Sequence, residues 1–561
     1  MSEPYQQLGE QLPERSSAAG GSFPSDPKAV ARWVEELPRA NPQVTLARLA
    51  DAFAQLRQRA LQGNQRASIL DLLRPAVLEA LEFLDRQLQT SSFPLSPQAS
   101  QVAEACLNLH RELANGYRAA AQEALAPAGA VSFLRRGAVS QILLRAAVHH
   151  ARLLSLCYFL YRMPLPGAWF GLHSVYRFAR AAGLAGKAVA EASEAGACSV
   201  EQVYLQSVLL ALSNPFRFSQ REQAELWPIC RELVGELELK ETQSGEGDFA
   251  LPIATDRGPG YIPEEREAGA AQVLWLDLTP LRSLLEAPLQ RGGVEQVQLK
   301  LKRQRRTLDA PAELLRRLRA GWGTAAARRA RRLGATHALD TVIGLSGLHY
   351  FLAGEQDFDA FMHQVTGHRV GAAPHASWAH ATQETVKASR VRAQVLDQSL
   401  GGYRLMWARE AGIRIRVGEL LGLTIAHEED DPLWMVGVVR WMRYHGDGSV
   451  DAGVELLARR AFAVGLRTLD LLGTPKPPQR GIAVRWLREP DSECQHLLAP
   501  ALIDAHAGRI EVAGLPLDQD GLESTPGTEA VSFHGLAAVE KAGDYVLLRA
   551  ERTSAPESPV I

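Results

Sequence analysis

Apolar positions along this chain repeat at helical spacing in the N-terminal part and alternate further on. Val30, Trp33, Val34 and Leu37 fall on one helical face, and Leu46, Leu49, Phe53 and Leu56 repeat the signature. Ser25 or Asp26 can cap the first of these helices, with Pro27 in its opening turn. Ser199 with Gln202 and Ser219 with Glu222 read as capping boxes, and Asn214-Pro215 marks the break between their helices. The spacing predicts an all-α helical domain over 25–240. Residues 1–24, rich in Gly, Ser, Gln and Glu, are expected to form a disordered tail.

Between 241 and 313 the pattern predicts a linker and a small α/β segment. Gly, Pro and acidic residues run without period to about 268, then the apolar run Val273–Leu276 and a helix near Leu281 follow. After Pro311 a helix is expected through Leu314, Leu315, Leu318 and Trp322 into the basic run 328–332. Beyond it the period becomes two. Tyr403, Leu405 and Trp407 alternate with Arg404 and Met406, and Ile413, Ile415 and Val417 alternate with Arg414 and Arg416. Trp434–Trp441 and Gly453–Leu457 read as further strands, with turn residues Gly446-Asp447-Gly448 between them. A small antiparallel barrel or sandwich is expected over 314–465, and strand-like runs after the Pro475–Pro478 linker predict a C-terminal β-rich module over 479–553. The expected class is multidomain α+β. One helical segment, Trp169 to Ala179, resembles the first helix of a tetratricopeptide repeat, with His173 where the usual Gly stands; no repeat at the ~34-residue period accompanies it, so an aromatic-rich core helix is the expected reading.

At 561 residues and 46% hydrophobic content the chain fills several cores. A formal charge of −2, from 61 basic and 63 acidic residues, excludes a global field that would draw it to nucleic acid or anionic lipid. Electrostatic recognition must be local. The five cysteines lack a CxxC pair, which disfavours a disulfide framework and a zinc site. The polar start has no signal-peptide order, and the apolar stretch Leu153–Tyr161 has about half of the ~20 residues a bilayer needs. A cytoplasmic protein without a membrane span is expected.

Two motifs carry the candidate chemistry: Arg328-Arg329-Ala330-Arg331-Arg332, and Asp397-Gln398-Ser399-Leu400-Gly401-Gly402. Together they resemble the PilZ family, known by an RxxxR motif in the loop leading into a six-stranded barrel and a [D/N]xSxxG motif on it. VGELLGL at 417–423, WMVGVVRWMR at 434–443 and AGVELL at 452–457 look like the later strands of that family. The resemblance implies binding of cyclic di-GMP, with no cofactor and no metal. It implies Arg328, Arg329, Arg332, Asp397, Ser399 and Gly402 as ligand-binding residues. The motifs stand further apart than is usual in the family. That gap is read as an insertion at about 353–388, after a first strand or strand pair within 336–352; otherwise Arg390 and Arg392 are the alternative cations.

The residue types suit the ligand. A guanidinium can bond a phosphodiester, pair with guanine O6 and N7, or stack on a base. A carboxylate accepts from guanine N1–H and N2–H, and a glycine lets a base approach the backbone. Micromolar binding needs about −8 kcal/mol and charge-assisted hydrogen bonds net roughly 1.5–3 kcal/mol each, so several must act together.

Rival signals are weaker. His349, His363, His368, His375 and His380 have no zinc-motif spacing. Gly344–Leu348 lacks the final Gly of a nucleophile elbow and reads as strand packing, and Glu428–Asp431 reads as a solvated acidic loop. No Walker A loop or dinucleotide fingerprint is present, so an enzyme is not expected. The sequence predicts a signalling receptor that meets a protein partner through its helical domain. The alternative is a nucleic-acid-binding protein using the basic stretch 300–332.

Overall fold

The structure is a computed structural model. It describes the chain except residues 1, 17–19, 90, 92, 192, 195, 244–247, 261–272, 291–294, 302, 304, 324–331, 368–388, 426–432, 471–472, 491, 506, 517–526, 528 and 553–561. Two compact units divide at 327/328.

The first unit is helical to Leu233, in long helices such as Gln65–Gln89, Pro97–Leu125 and Arg136–Phe159. Asp26 caps Pro27–Glu35, and both capping boxes form, at Ser199/Gln202 and Ser219/Glu222. The expected disordered tail is corrected: Glu3–Gly9 is a helix whose Tyr5 and Leu8 are buried. Arg118, itself buried, donates to Glu10 O at 2.9 Å and so ties that segment down by its backbone. The tetratricopeptide-like segment lies in helix Ala168–Ala181, where buried His173 meets Tyr204 Oη and Arg257 O, each at 2.9 Å. A three-stranded sheet ordered Glu238–Lys240, Val273–Asp277, Phe249–Pro252 follows, then helix Thr279–Leu289, the hairpin Gln296–Leu301/Arg306–Pro311 and helix Ala312–Gly321. That last helix ends at Gly321, and 328–331 lie outside the described residues.

The second unit holds two closed barrels. The first is built from β1 (Ala338–Ile343), β2 (Val391–Ser399), β3 (Gly402–Trp407), β4 (Leu420–Ile425), β5 (Met435–Tyr444) and β6 (Val450–Ala458). Its strands run β1-β2-β3-β6-β5-β4 around the barrel, and β4 pairs with β1 to close it. Alternation drives this closure: Val395, Leu405, Val439 and Val454 point inward and are buried. Two sequence expectations are corrected here. Ile413 and Ile415 are buried, but their segment pairs with no described strand; it follows a 3₁₀ turn at Arg409–Ala411 and packs without a ladder. Gly344–Leu348 is not strand; after β1 the chain turns into helix α1 (Gly344–Leu352), with α2 (Phe358–Thr366) beyond it.

The second barrel comprises β7 (Ala461–Leu469), β8 (Gln479–Val484), β9 (Gln495–Pro500), β10 (Arg509–Ala513), β11 (Val531–Lys541) and β12 (Tyr545–Arg552). Around the barrel they run β7-β8-β9-β12-β11-β10, the same cyclic order as the first. A boundary at 465 would cut β7. One apolar cluster spans both barrels: Leu420, Trp434, Val438 and Leu457 from the first, Leu345 and Leu348 of α1, and Ile482, Trp486, Leu498 and Leu547 from the second. No helix of the described residues is long and apolar enough to cross a membrane.

Candidate functional site

The Asp397–Gly402 motif is the β2–β3 hairpin. Ser399 pairs with Gly402 across the turn Leu400-Gly401, and Ser399 Oγ donates to Gly402 O at 3.4 Å. Only glycine fits at 402. A Cβ there would stand 2.0 Å from Val454 O, against backbone of β6 that cannot move aside. The motif glycine thus places the hairpin close against β6.

Asp397 and Arg332 meet. The two-residue strand Leu333–Gly334 pairs with β2 so that Gly334 faces Asp397, which carries the preceding Arg332 to the carboxylate. Arg332 Nη1 lies 3.1 Å from Oδ1 and 3.2 Å from Oδ2. The Arg332 side chain is 42% exposed and that of Asp397 20% exposed, so the pair is weak, about 0–1 kcal/mol, and exchangeable for another partner. Arg328 and Arg329 lie outside the described residues. Arg390 and Arg392, the alternative cations, are engaged elsewhere: Arg390 with Glu355 at 3.1 Å and over the Phe351 ring, Arg392 with Asp340 at 3.5 Å.

Register extends this site across the barrel. Asp397 on β2 pairs with Arg404 on β3, Arg404 with Gly453 on β6, and Gly453 with Trp441 on β5. Their neighbours Leu405 and Val454 point inward and are buried, so the row faces outward. Arg404 Nε and Nη2 grip buried Asp451 at 3.0 and 2.6 Å, while Nη1 comes within 4.0 Å of Asp397. The hydrogen bond to Asp451 holds the Arg404 guanidinium charged beyond its ordinary range. Gly453 leaves a slot over which the Trp441 indole lies, since a Cβ at 453 would sit 1.9 Å from its Nε1. Arg404 and Arg443 flank that indole at 5.9 and 5.2 Å.

Sequence reasoning missed Arg404 and Trp441. The period of two puts Arg404 on the face of Gly402, which was readable. Trp441 joins the row only through strand register, which is not.

Comparison with known proteins bears on the two units and the first barrel. The description "Cyclic-di-GMP receptor FimW, N-terminal domain" matches residues 28–243, and "Cyclic-di-GMP receptor FimW, middle PilZ domain" matches 249–382 and 369–462. The chain thus carries a PilZ domain. Over 500 residues it is 29% identical to the cyclic-di-GMP receptor FimW of Pseudomonas aeruginosa, covering 79% of each chain. The PilZ match ends at 462, where β7 begins, so the PilZ barrel is the first of the two.

The rival signals fare less well. Within the basic stretch 300–332, Arg317 pairs with Glu222, Arg319 with Glu286 and Arg316 with Glu313, and Arg303 donates to Leu237 O. Those cations are paired within their own unit, and among the described residues nothing supports the polynucleotide reading. His349 is buried under α2 and held neutral, its pKa lowered by burial to about 4; His368, His375 and His380 lie outside the described residues. No metal-holding group of His, Cys, Asp or Glu forms among the described residues.

Proposed function

We propose that this protein is a cyclic di-GMP receptor that takes the nucleotide on the outer face of its PilZ barrel, with Arg328, Arg329, Arg332, Asp397, Ser399 and Gly402 as the contacts. The observation that carries the reading is the Arg332–Asp397 pair, drawn from two motifs distant in sequence onto one exposed spot. Arrival of ligand exchanges that pair. The guanine edge satisfies the carboxylate, Arg332 turns to phosphodiester or base, and the charges are re-paired without leaving either buried and alone. Farther along the row, the Trp441 indole between two guanidiniums offers a stacking face for a purine.

The reading is of a receptor rather than an enzyme: bound nucleotide changes the partners of Arg332 and thereby the set of the chain that precedes β1. Both motifs belong to the barrel unit, so the helical unit is left for a protein partner. Calorimetric titration of cyclic di-GMP into the wild type, Arg332→Ala and Asp397→Ala tests the site. Binding by the wild type and loss in both variants is expected; equal heats in all three would overturn it.

A further inference from the structure

Two further cations near the Asp397–Gly402 hairpin come from outside the six strands of its own barrel. Arg459, in the short link between β6 and β7, donates Nη2 to Leu400 O at the hairpin turn, at 3.3 Å. Arg488, in the β8–β9 connection of the second barrel, donates Nε and Nη2 to Glu455 Oε1 at 3.0 and 2.6 Å. Glu455 is the β6 residue in register with Gly402, and its Cα lies 3.1 Å from where a Cβ on Gly402 would stand. It points to the same outer face as Gly402, because Val454 between it and Gly453 points inward.

This arrangement poses an electrostatic problem for an anionic ligand. A phosphodiester approaching Gly402 meets the Glu455 carboxylate, which repels it. Arg488 on Oε1 and Arg440 Nε, at 2.6 Å from Oε2, offset that charge; Arg440 is shared with Glu540 at 2.9 Å, which leaves Arg488 as the cation with an unused edge. Arg488 is 51% exposed, rests over the Trp486 ring at 5.6 Å, and its Nη1 edge makes no hydrogen bond to a described residue. A guanidinium fixed along one edge, with the other edge open to solvent beside the hairpin, is prepared for a second acceptor. Arg459 is held in the same way, by one bond at the hairpin turn.

We propose that Arg488 and Arg459 form the second wall of the nucleotide site, so that the C-terminal barrel completes the site the PilZ barrel begins. This rests on the reading of that face as a cyclic di-GMP site. The second barrel is then a sensing element: phosphodiester oxygens bound by Arg488 and Arg459 on one side and by the motif residues on the other fasten the hairpin to the neighbouring barrel.

The test is calorimetry with cyclic di-GMP on the full chain. Arg488→Ala is expected to weaken binding about tenfold and Arg488→Ala with Arg459→Ala about a hundredfold, the scale of one and two charge-assisted contacts. Arg488→Lys should restore part of the affinity, and Arg467→Ala, whose partner is Glu511 within the second barrel, should change nothing. Glu455→Gln separates ligand contact from mere support. It breaks the same ion pair but removes the repelling charge, so binding at least as tight as wild type is expected. A loss in Glu455→Gln equal to that in Arg488→Ala would overturn the inference, as would wild-type affinity in the double arginine variant while Asp397→Ala fails to bind. A wild type that does not bind would remove the reading of the face and this inference together.

Discussion

The two barrels of the second unit share a strand order and differ in one hairpin. In the first, β2 and β3 are joined by Leu400 and Gly401 alone, and Gly402 opens β3 in register with Glu455. In the second, the connection between β8 and β9 runs through 485–494, and Gln495 opens β9 opposite Ala550. The cyclic order is the same, yet it is the β2–β3 hairpin of the first barrel, and not its counterpart at 485–494, that carries the motif Asp397 and Ser399 beside Arg332. Topology supplies the platform, and the tight glycine hairpin together with the short strand that follows Arg332 supplies the proposed site.

The largest way to break this comparison is to remove the site. Asp397→Ala is expected to weaken cyclic di-GMP binding a hundredfold or more, in line with the ~2–5 kcal/mol cost of truncating one partner of a bound charge pair. Gln495→Ala, at the matching hairpin of the other barrel, should leave the affinity within about twofold, well under ~1 kcal/mol. Equal losses by calorimetry would erase the distinction drawn between the two hairpins.

A second prediction concerns what the barrels have in common. Leu420 and Leu547 are fully buried in one cluster that spans both. Leu→Ala at either position should cost about 2–5 kcal/mol. Because the core is shared, denaturation followed by separate probes in each barrel should give one coincident transition in either variant. Two separated transitions would mean that the barrels fold alone.

Third, Gly402→Ala should cost about 1–3 kcal/mol of stability, the range for overpacking, since the added methyl meets Val454 O at 2.0 Å. It should also loosen nucleotide binding, by moving the hairpin off β6. Gly401→Ala is the counterpart. No atom lies within 4 Å of a Cβ at 401, so its stability should stay within about 0.5 kcal/mol of wild type. Equal midpoints in chemical denaturation for the two variants would contradict this account of the motif glycine.

How far the sequence carried the fold depended on whether local pattern was sufficient. Helix starts were legible because a cap is local: Asp26, Ser199 and Ser219 declare themselves within four residues. The first barrel was legible through alternation and the DxSxxG turn. The alternation at Ile413–Val417 misled, because burial on one side and solvent on the other produces the same pattern without a partner strand. The helix at Glu3–Gly9 was hidden because its anchor, Arg118, lies far along the chain. Of the candidate site, Arg332 and Asp397 could be paired by motif, whereas Trp441, Glu455 and Arg488 join it only through register and through the second barrel. No local pattern encodes either.

The smallest predicted effect sharpens the comparison at the seam between the barrels. Glu419 precedes β4, where a Cβ on neighbouring Gly418 would touch Ala542 of the β11–β12 turn. Its pKa is pushed up to about 7, chiefly by burial, with the Asp544 carboxylate of the other barrel adding to the rise; the Arg416 backbone N–H, donating at 2.8 Å, opposes it. In the unfolded chain a glutamate titrates near about 4.3. The folded form therefore holds a proton more tightly, and its contribution to stability is complete below about 4.3 and lost as pH climbs to about 7. Thermal unfolding of the wild type should accordingly weaken between about pH 4.3 and about pH 7 relative to Glu419→Gln, which carries no titrating proton there. The gap between the two melting curves should widen with pH by only a few degrees, since one group is involved and water reaches part of it. Parallel pH profiles would show that Glu419 ionises as freely as in the open chain, and that the two barrels do not meet closely enough at this point to desolvate a carboxylate.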